Sequence, residues 1–205
     1  MEPTEGNRRA WEARYRAAAE EGLPQLLKER LHDLSGRRVL HLQCGTGAAT
    51  VDLAALGALV TGVDDSSAAI EAARLRAPDL PWLRADPEHL PAELQRGRED
   101  LVYAGAGSLG RIRSVETWAA GIVGALRPGG ELILLDEHPI SACLDVGLRW
   151  RDDYFDDETL RLGRIVNALI AAGLVVRVLD ELPSLARRQD PRVPAELLVV
   201  AAKPA

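Results

Sequence analysis

The run Val39-Leu40-His41-Leu42-Gln43-Cys44-Gly45-Thr46-Gly47 constrains this chain more than any other stretch. A short Val-Leu-His-Leu segment leads into two glycines one position apart, and an Ala-rich segment closed by Gly57 follows. That order reads as strand, glycine turn, helix, because glycine supplies the backbone freedom of a tight turn and ends helices. Leu59 to Val63 gives a second strand ending in Asp64, and Ser66 or Ser67 caps a helix to about Arg76, before Pro78. The unit is β-α-β-α, and helical crossovers imply parallel strands.

The pattern continues. Trp82 to Ala85 reads as a third strand, Glu88 to Leu94 as a turn or helix, and Asp100 to Ala104 as a fourth strand. Ser114 caps a helix over Val115 to Leu126, which Pro128-Gly129-Gly130 stops before a fifth strand, Glu131 to Leu135. Leu162, Ile165, Val166, Leu169 and Ile170 have helical spacing, with Gly173 as the C-terminal cap. Val175 to Leu179 and Leu197 to Ala202 are two last strands with no helix between them, so they should pair antiparallel. A charged helical stretch, Asn7 to Glu21 and Leu23 to Leu34, precedes all of this and ends at Ser35-Gly36. The expectation is one domain over residues 1–205, a helical cap at 1–35 and an α/β core at 36–202.

Composition narrows the partners. With 25 Lys plus Arg against 31 Asp plus Glu, the formal net charge of −6 disfavours nucleic acid and anionic membrane, which need concentrated cations. Aromatic residues make up 4%, too few for a base-stacking surface. The longest apolar runs, Trp118 to Leu126 and Ala168 to Val176, fall short of the ~20 residues of a membrane span. The charged first 20 residues lack a secretory apolar core, so a cytoplasmic protein is expected. Cys44 and Cys143 are expected as free thiols, and no Cys/His cluster suggests a metal.

Ligands of open parallel sheets bind beyond the carboxyl ends of the strands. Gly45 and Gly47 fall at that end of strand one, and the helix after them offers unpaired N–H groups. Asp64, one helix and one strand later, ends strand two beside the turn, where a carboxylate accepts both hydroxyls of a ribose. The plainer alternative is a tight turn next to a helix-capping aspartate. Among nucleoside cofactors NAD is the weaker match, because Gly45-Thr46-Gly47-Ala48-Ala49-Thr50 lacks the third glycine of G-x-G-x-x-G.

Five signatures occur in one order: residues 39–47, Val-Thr-Gly-Val-Asp-Asp-Ser at 60–66, Arg-Ala-Asp at 84–86, Asp-Leu-Val-Tyr at 100–103, and Leu-Arg-Pro-Gly-Gly at 126–130. With them the chain resembles the class I S-adenosylmethionine-dependent methyltransferases over about residues 36–202. The resemblance implies a Rossmann-like three-layer sandwich whose seven-stranded, mostly parallel sheet has an antiparallel last strand. It also implies S-adenosyl-L-methionine as cofactor. Backbone around Gln43, Cys44, Gly45, Thr46 and Gly47 would line its methionine part, Asp64 would hold the ribose, and Asp86 would meet the adenine amino group, with Asp65, Ala85 and Pro87 as further cofactor-binding candidates. Ala104 and Gly105, in a segment running to Gly107, would border the sulfonium and substrate. Three positions depart from the family pattern: Gln43 replaces an acidic residue, Ala49 a frequent glycine, and Asp65 a frequent hydrophobic residue. A narrower likeness, to bacterial small-molecule methyltransferases, rests on Asn7 to Trp11, His41 to Cys44, Tyr103 to Leu109, Trp118, Asp136-Glu137-His138-Pro139 and Leu162 to Val166. Only Ile140 to Asp157 lies between His-Pro and the last helix, a short segment for a substrate lid.

The implied activity is methyl transfer to a small-molecule acceptor by in-line displacement. The alternatives are a cofactor-binding protein without catalysis and an NAD-dependent oxidoreductase. Of the four histidines, His138 is the candidate general base, next to Asp136 and Glu137; the competing reading is a loop-shaping residue bonded to backbone. His41 reads as a core histidine, and His32 and His89 as surface residues. Trp11, Tyr15, Ser108, Leu109, Asp136 and His138 are the candidate substrate residues, with Trp11 and Tyr15 sharing a helix face. Asp152, Asp153, Asp156 and Asp157 read as a solvated loop, because the cluster lacks metal-ligand spacing.

Overall fold

The computed structural model describes residues 22–31, 33–145, 148–156, 159–183 and 192–205. Trp11, Tyr15, His32, Asp157 and the helix expected over residues 7–21 lie outside the described residues. Seven strands form one mixed sheet in the order β3-β2-β1-β4-β5-β7-β6. The expected mostly parallel sheet with an antiparallel last strand is the one observed. No helix among the described residues is long and apolar enough to cross a membrane.

The chain divides into two compact units, Met1–Asp86 and Pro87–Ala205. The first holds α1 (Gln25–Arg30), β1 (Arg38–Leu42), α2 (Ala48–Ala55), β2 (Leu59–Asp64), α3 (Ser67–Arg76) and β3 (Trp82–Arg84). Its strands are parallel, with Arg38 to Leu42 registered against Leu59 to Val63, and Gly62 against Trp82. Val39 through Leu42 are all buried, which explains why β1 reads as an unbroken run without apolar and polar alternation. Ser66 caps α3, its hydroxyl accepting the Ala69 N–H at 3.2 Å. Trp82 anchors the unit's core with Cys44, Ile70 and Ala73, and its indole N–H donates to the Ala77 carbonyl at 2.8 Å. A Cβ at Gly62 would lie 2.4 Å from the Trp82 ring, so the strand approaches that ring only with glycine there.

The second unit holds β4 (Glu99–Gly105), a 3₁₀ turn (Leu109–Arg111), α4 (Val115–Ala125), β5 (Leu126–Glu137), α5 (Pro139–Ala142), α6 (Leu162–Ala171), β6 (Val175–Pro183) and β7 (Pro194–Ala202). β4 and β5 are parallel, and β7 runs antiparallel to both β5 and β6. Ser114 caps α4 as expected, its hydroxyl accepting the Thr117 N–H at 3.2 Å. The fifth strand differs from expectation by starting at Leu126, directly after α4, instead of at Glu131. Glu99 pairs with Leu126 and Leu101 with Glu131, so residues 127–130 bulge out of the ladder, where the missing N–H of Pro128 is harmless. The Gly129 N–H and the Gly130 carbonyl bond to Lys203, both at 2.9 Å.

Candidate functional site

In the first unit, β1 delivers the chain into a turn built on left-handed backbone. Gln43, Gly45 and Gly47 have φ of 53°, 54° and 85°. The Cys44 N–H prolongs the ladder to the Val63 carbonyl at 2.9 Å, and the Gly47 N–H closes the turn on the Cys44 carbonyl at 3.0 Å. Gly47 is then the N-cap of α2. A side chain there is doubly excluded, by its φ and because a Cβ would lie 2.5 Å from Trp82.

Asp64 joins three elements. Its Oδ2 accepts the Gly45 N–H at 3.0 Å, its Oδ1 accepts the Ser66 N–H at 2.9 Å, and its carbonyl accepts the Ala85 N–H at 3.0 Å. The residue is fully buried. Asp65 is exposed, its carbonyl accepting from Arg84 at 3.1 Å, and Ala85 and Asp86 follow β3 half-buried. Burial, then the Asp64 charge, pushes the Cys44 thiol up, so it is held protonated. His41 contacts Thr50 Oγ1 through Nδ1 at 2.7 Å, and burial lowers its pKa to about 3. It is a neutral core histidine, as its strand position suggested.

In the second unit, the segment leaving β4 is held by one carboxylate. Ala104 and Gly105 are buried at the strand end, then Ala106 and Gly107 turn with φ of 56° and 85°. Asp136, at the end of β5, accepts from Gly107 N–H at 2.7 Å, Leu109 N–H at 2.8 Å, Ser108 Oγ at 2.7 Å and its neighbour Glu137 N–H at 2.7 Å. Burial pushes its carboxyl up against these four donors, which favour the ionised form. Ser108 is fully buried with its hydroxyl given to Asp136, and Leu109 is buried at the start of the 3₁₀ turn. Tyr103 lies in the same interior, its phenol pushed up by burial and by Asp136 and Glu196.

His138 follows two residues on. It is the N-cap of α5, where Nδ1 accepts the Ile140 N–H at 3.1 Å. Nε2 lies 2.9 Å from Glu181 Oε1, close enough for an ion pair but off the line of a good hydrogen bond. An accepting Nδ1 assigns the proton to Nε2. Burial lowers the His138 pKa, opposed by Glu181. Pro87 is buried, His89 is exposed, and Glu88 accepts from the Ser114 N–H while pairing with Arg113 at 3.4 Å. Sequence reasoning took Glu88 only as the start of a turn or helix, because its partner Ser114 lies 26 residues on and no local signal marks the pair. In the acidic loop, Asp152 pairs with Arg151 at 2.7 Å and Asp153 accepts the Phe155 N–H at 2.8 Å.

The profile of a family described as "Methyltransferase domain" matches residues 39–130, which include the glycine turn, Asp64 and β4. An S-adenosylmethionine-dependent methyltransferase from Mesorhizobium loti superposes over 92% of this chain and 100% of its own, with TM-score 0.68 and 25% identity. The matched segment is thus similar to methyltransferase domains, and the fold is that of S-adenosylmethionine-dependent methyltransferases. An uncharacterized methyltransferase of Synechocystis sp. is 34% identical over 130 residues, 62% of this chain and 59% of that protein. A trans-aconitate 2-methyltransferase of Delftia acidovorans is 34% identical over 123 residues, 59% of this chain and 43% of its own length. The chain thus spans about half the length of the curated relatives it matches.

The cofactor that these matches indicate is S-adenosylmethionine. The turn after β1 is built from left-handed positions where a side chain is excluded at Gly47. Asp64, fully buried, accepts the Gly45 and Ser66 amides and so ties the turn to β2 and α3.

Proposed function

We propose that this chain transfers a methyl group from S-adenosylmethionine to a small-molecule acceptor. The observation that carries the reading is the Asp64 carboxylate bonded to the Gly45 amide at the carboxyl ends of β1 and β2. Bound S-adenosylmethionine supplies a methyl group already activated on a sulfonium, so the protein's tasks are binding, alignment and exclusion of water. Gln43 to Gly47 hold the methionine part through backbone groups, Asp64 holds the ribose, and Ala85, Asp86 and Pro87 border the adenine. Ala104 and Gly105 border the reacting centre. Asp136 gives that last segment one shape by binding Gly107, Ser108 and Leu109 at once. His138 fixes the corner after β5, since its Nδ1 lone pair is used by the Ile140 amide. A general base is dispensable for an acceptor that is already ionised.

A small acceptor is supported by the net charge of −6 and by the name of the Delftia relative. An RNA acceptor is the contrary outcome, because a tRNA U34 carboxymethyltransferase of Alcanivorax borkumensis is 39% identical over 116 residues. The test incubates the chain with methyl-labelled S-adenosylmethionine and either a panel of small carboxylic acids, phenols and thiols or bulk tRNA. Label in a small product supports the reading. Label only in tRNA refutes the acceptor class, and binding of NAD in place of S-adenosylmethionine refutes the whole.

A further inference from the structure

The second unit contains a cavity of about 630 Å³ lined by none of the residues proposed to hold the methyl donor. That volume lies in the range of small-ligand sites. Its walls include Tyr154 and Phe155, Arg161 at the N-cap of α6, Arg164 and Asn167 within α6, and Glu116 of α4.

Two wall residues behave unlike the rest. Phe155 is 72% exposed, yet it is held in place: its ring meets Tyr154 edge-on at 5.4 Å, and its N–H donates to Asp153. Tyr154 is fixed in turn, its hydroxyl accepting the Leu162 N–H at 3.1 Å. An aromatic face is therefore kept open to solvent instead of being folded inward. The Arg161 guanidinium carbon sits over that ring, 5.9 Å from its centre, and Arg161 has no carboxylate partner among the described residues. Its neighbours are paired. Arg164 forks onto Glu116 at 3.1 and 3.3 Å, and Arg151 is paired with Asp152. Of the two arginines among the named walls, Arg164 is paired with Glu116 and Arg161 stands beside the exposed ring.

We propose that this cavity binds a planar organic anion, an aromatic carboxylate of one or two rings. The ligand ring stacks on Phe155, and its carboxylate takes the planar Arg161 fork, a geometry that suits guanidinium better than ammonium. Asn167 adds an amide donor at the same wall. Ring and charge are both required, because an open site gives little affinity to either alone.

The proposal does not depend on methyl transfer. It is tested by calorimetric titration of the full chain with 2-naphthoate, with neutral 2-naphthalenemethanol, and with acetate. The expected result is saturable binding of 2-naphthoate at least tenfold tighter than the alcohol, and no measurable binding of acetate. Arg161→Gln and Phe155→Ala should each weaken 2-naphthoate at least tenfold while leaving S-adenosylhomocysteine affinity and the melting temperature unchanged, which separates this site from the donor site and from misfolding. Equal binding of acid and alcohol, no binding of the acid at millimolar concentration, or undiminished binding by Arg161→Gln would overturn it.

Discussion

Asp64 accepts the Gly45 amide at 3.0 Å across nineteen residues, so the residue that closes β2 also fixes the turn leaving β1. The glycine turn and the acidic residue after it are one device. The carboxylate holds the turn's shape through the Gly45 amide and the start of α3 through the Ser66 amide.

Asp64→Ala leaves the buried Gly45 amide and the half-buried Ser66 amide without their acceptor. Each such loss costs about 1–3 kcal/mol. The variant should lose about 2–4 kcal/mol in urea denaturation, and its S-adenosylhomocysteine affinity should fall at least tenfold by calorimetry. Asp64→Asn, which keeps one acceptor oxygen, should lie between the variant and the parent in both measurements.

Gly47 and Gly36 provide a controlled pair. Both have positive φ, 85° and 73°, but a Cβ at Gly47 meets Trp82, whereas one at Gly36 meets nothing within 4 Å. Gly36→Ala should cost only the backbone contribution, roughly 1–2 kcal/mol. Gly47→Ala should cost more by at least that amount again, read from denaturation midpoints. Equal losses would show that Trp82 does not constrain the turn.

His41 gives the fold a pH dependence with a definite sign. Its folded pKa is about 3, against 6.5 when unfolded, so the unfolded chain takes up the proton first as pH falls. The stability tied to neutral His41 is complete above pH 6.5 and is lost as pH drops toward 3. The slope approaches about 1.4 kcal/mol per pH unit, or about 2 kcal/mol between pH 7 and 5. His41→Asn should flatten that part of the pH profile, measured as urea midpoints across the range.

Much of this architecture was readable from the sequence, where the determinants are local. Strands β1 and β2, the Ser66 and Ser114 caps and the Gly173 stop each depend on a few adjacent residues, and each is observed. The start of β5 was misplaced by five residues because the Pro128 bulge is stabilised by Lys203, at the far end of the chain. β6 and β7 extend further than their apolar runs, to Pro183 and from Pro194, because each lends the other a hydrogen-bonding edge. The Asp136 network was not legible for the same reason: its Gly107, Ser108 and Leu109 donors lie 27 to 29 residues away. Sequence marked Asp136 and Ser108 as chemically interesting, but not that they bond to each other.

Asp136→Asn turns two of the four acceptor positions into donors facing donors. It should destabilise the chain by about 2–4 kcal/mol. If Asp136 positions the segment after β4 for methyl transfer, kcat should fall further than the S-adenosylmethionine KM rises. Donor affinity and turnover falling together, in proportion to folded fraction, would reduce Asp136 to a stability role.

The central claim is that the glycine turn and Asp64 hold an adenosyl methyl donor. Calorimetric titration of the intact chain with S-adenosylmethionine, S-adenosylhomocysteine and NAD tests it most directly. The account predicts one-to-one binding of the first two and none of NAD; saturable binding of NAD without either adenosyl compound would contradict it.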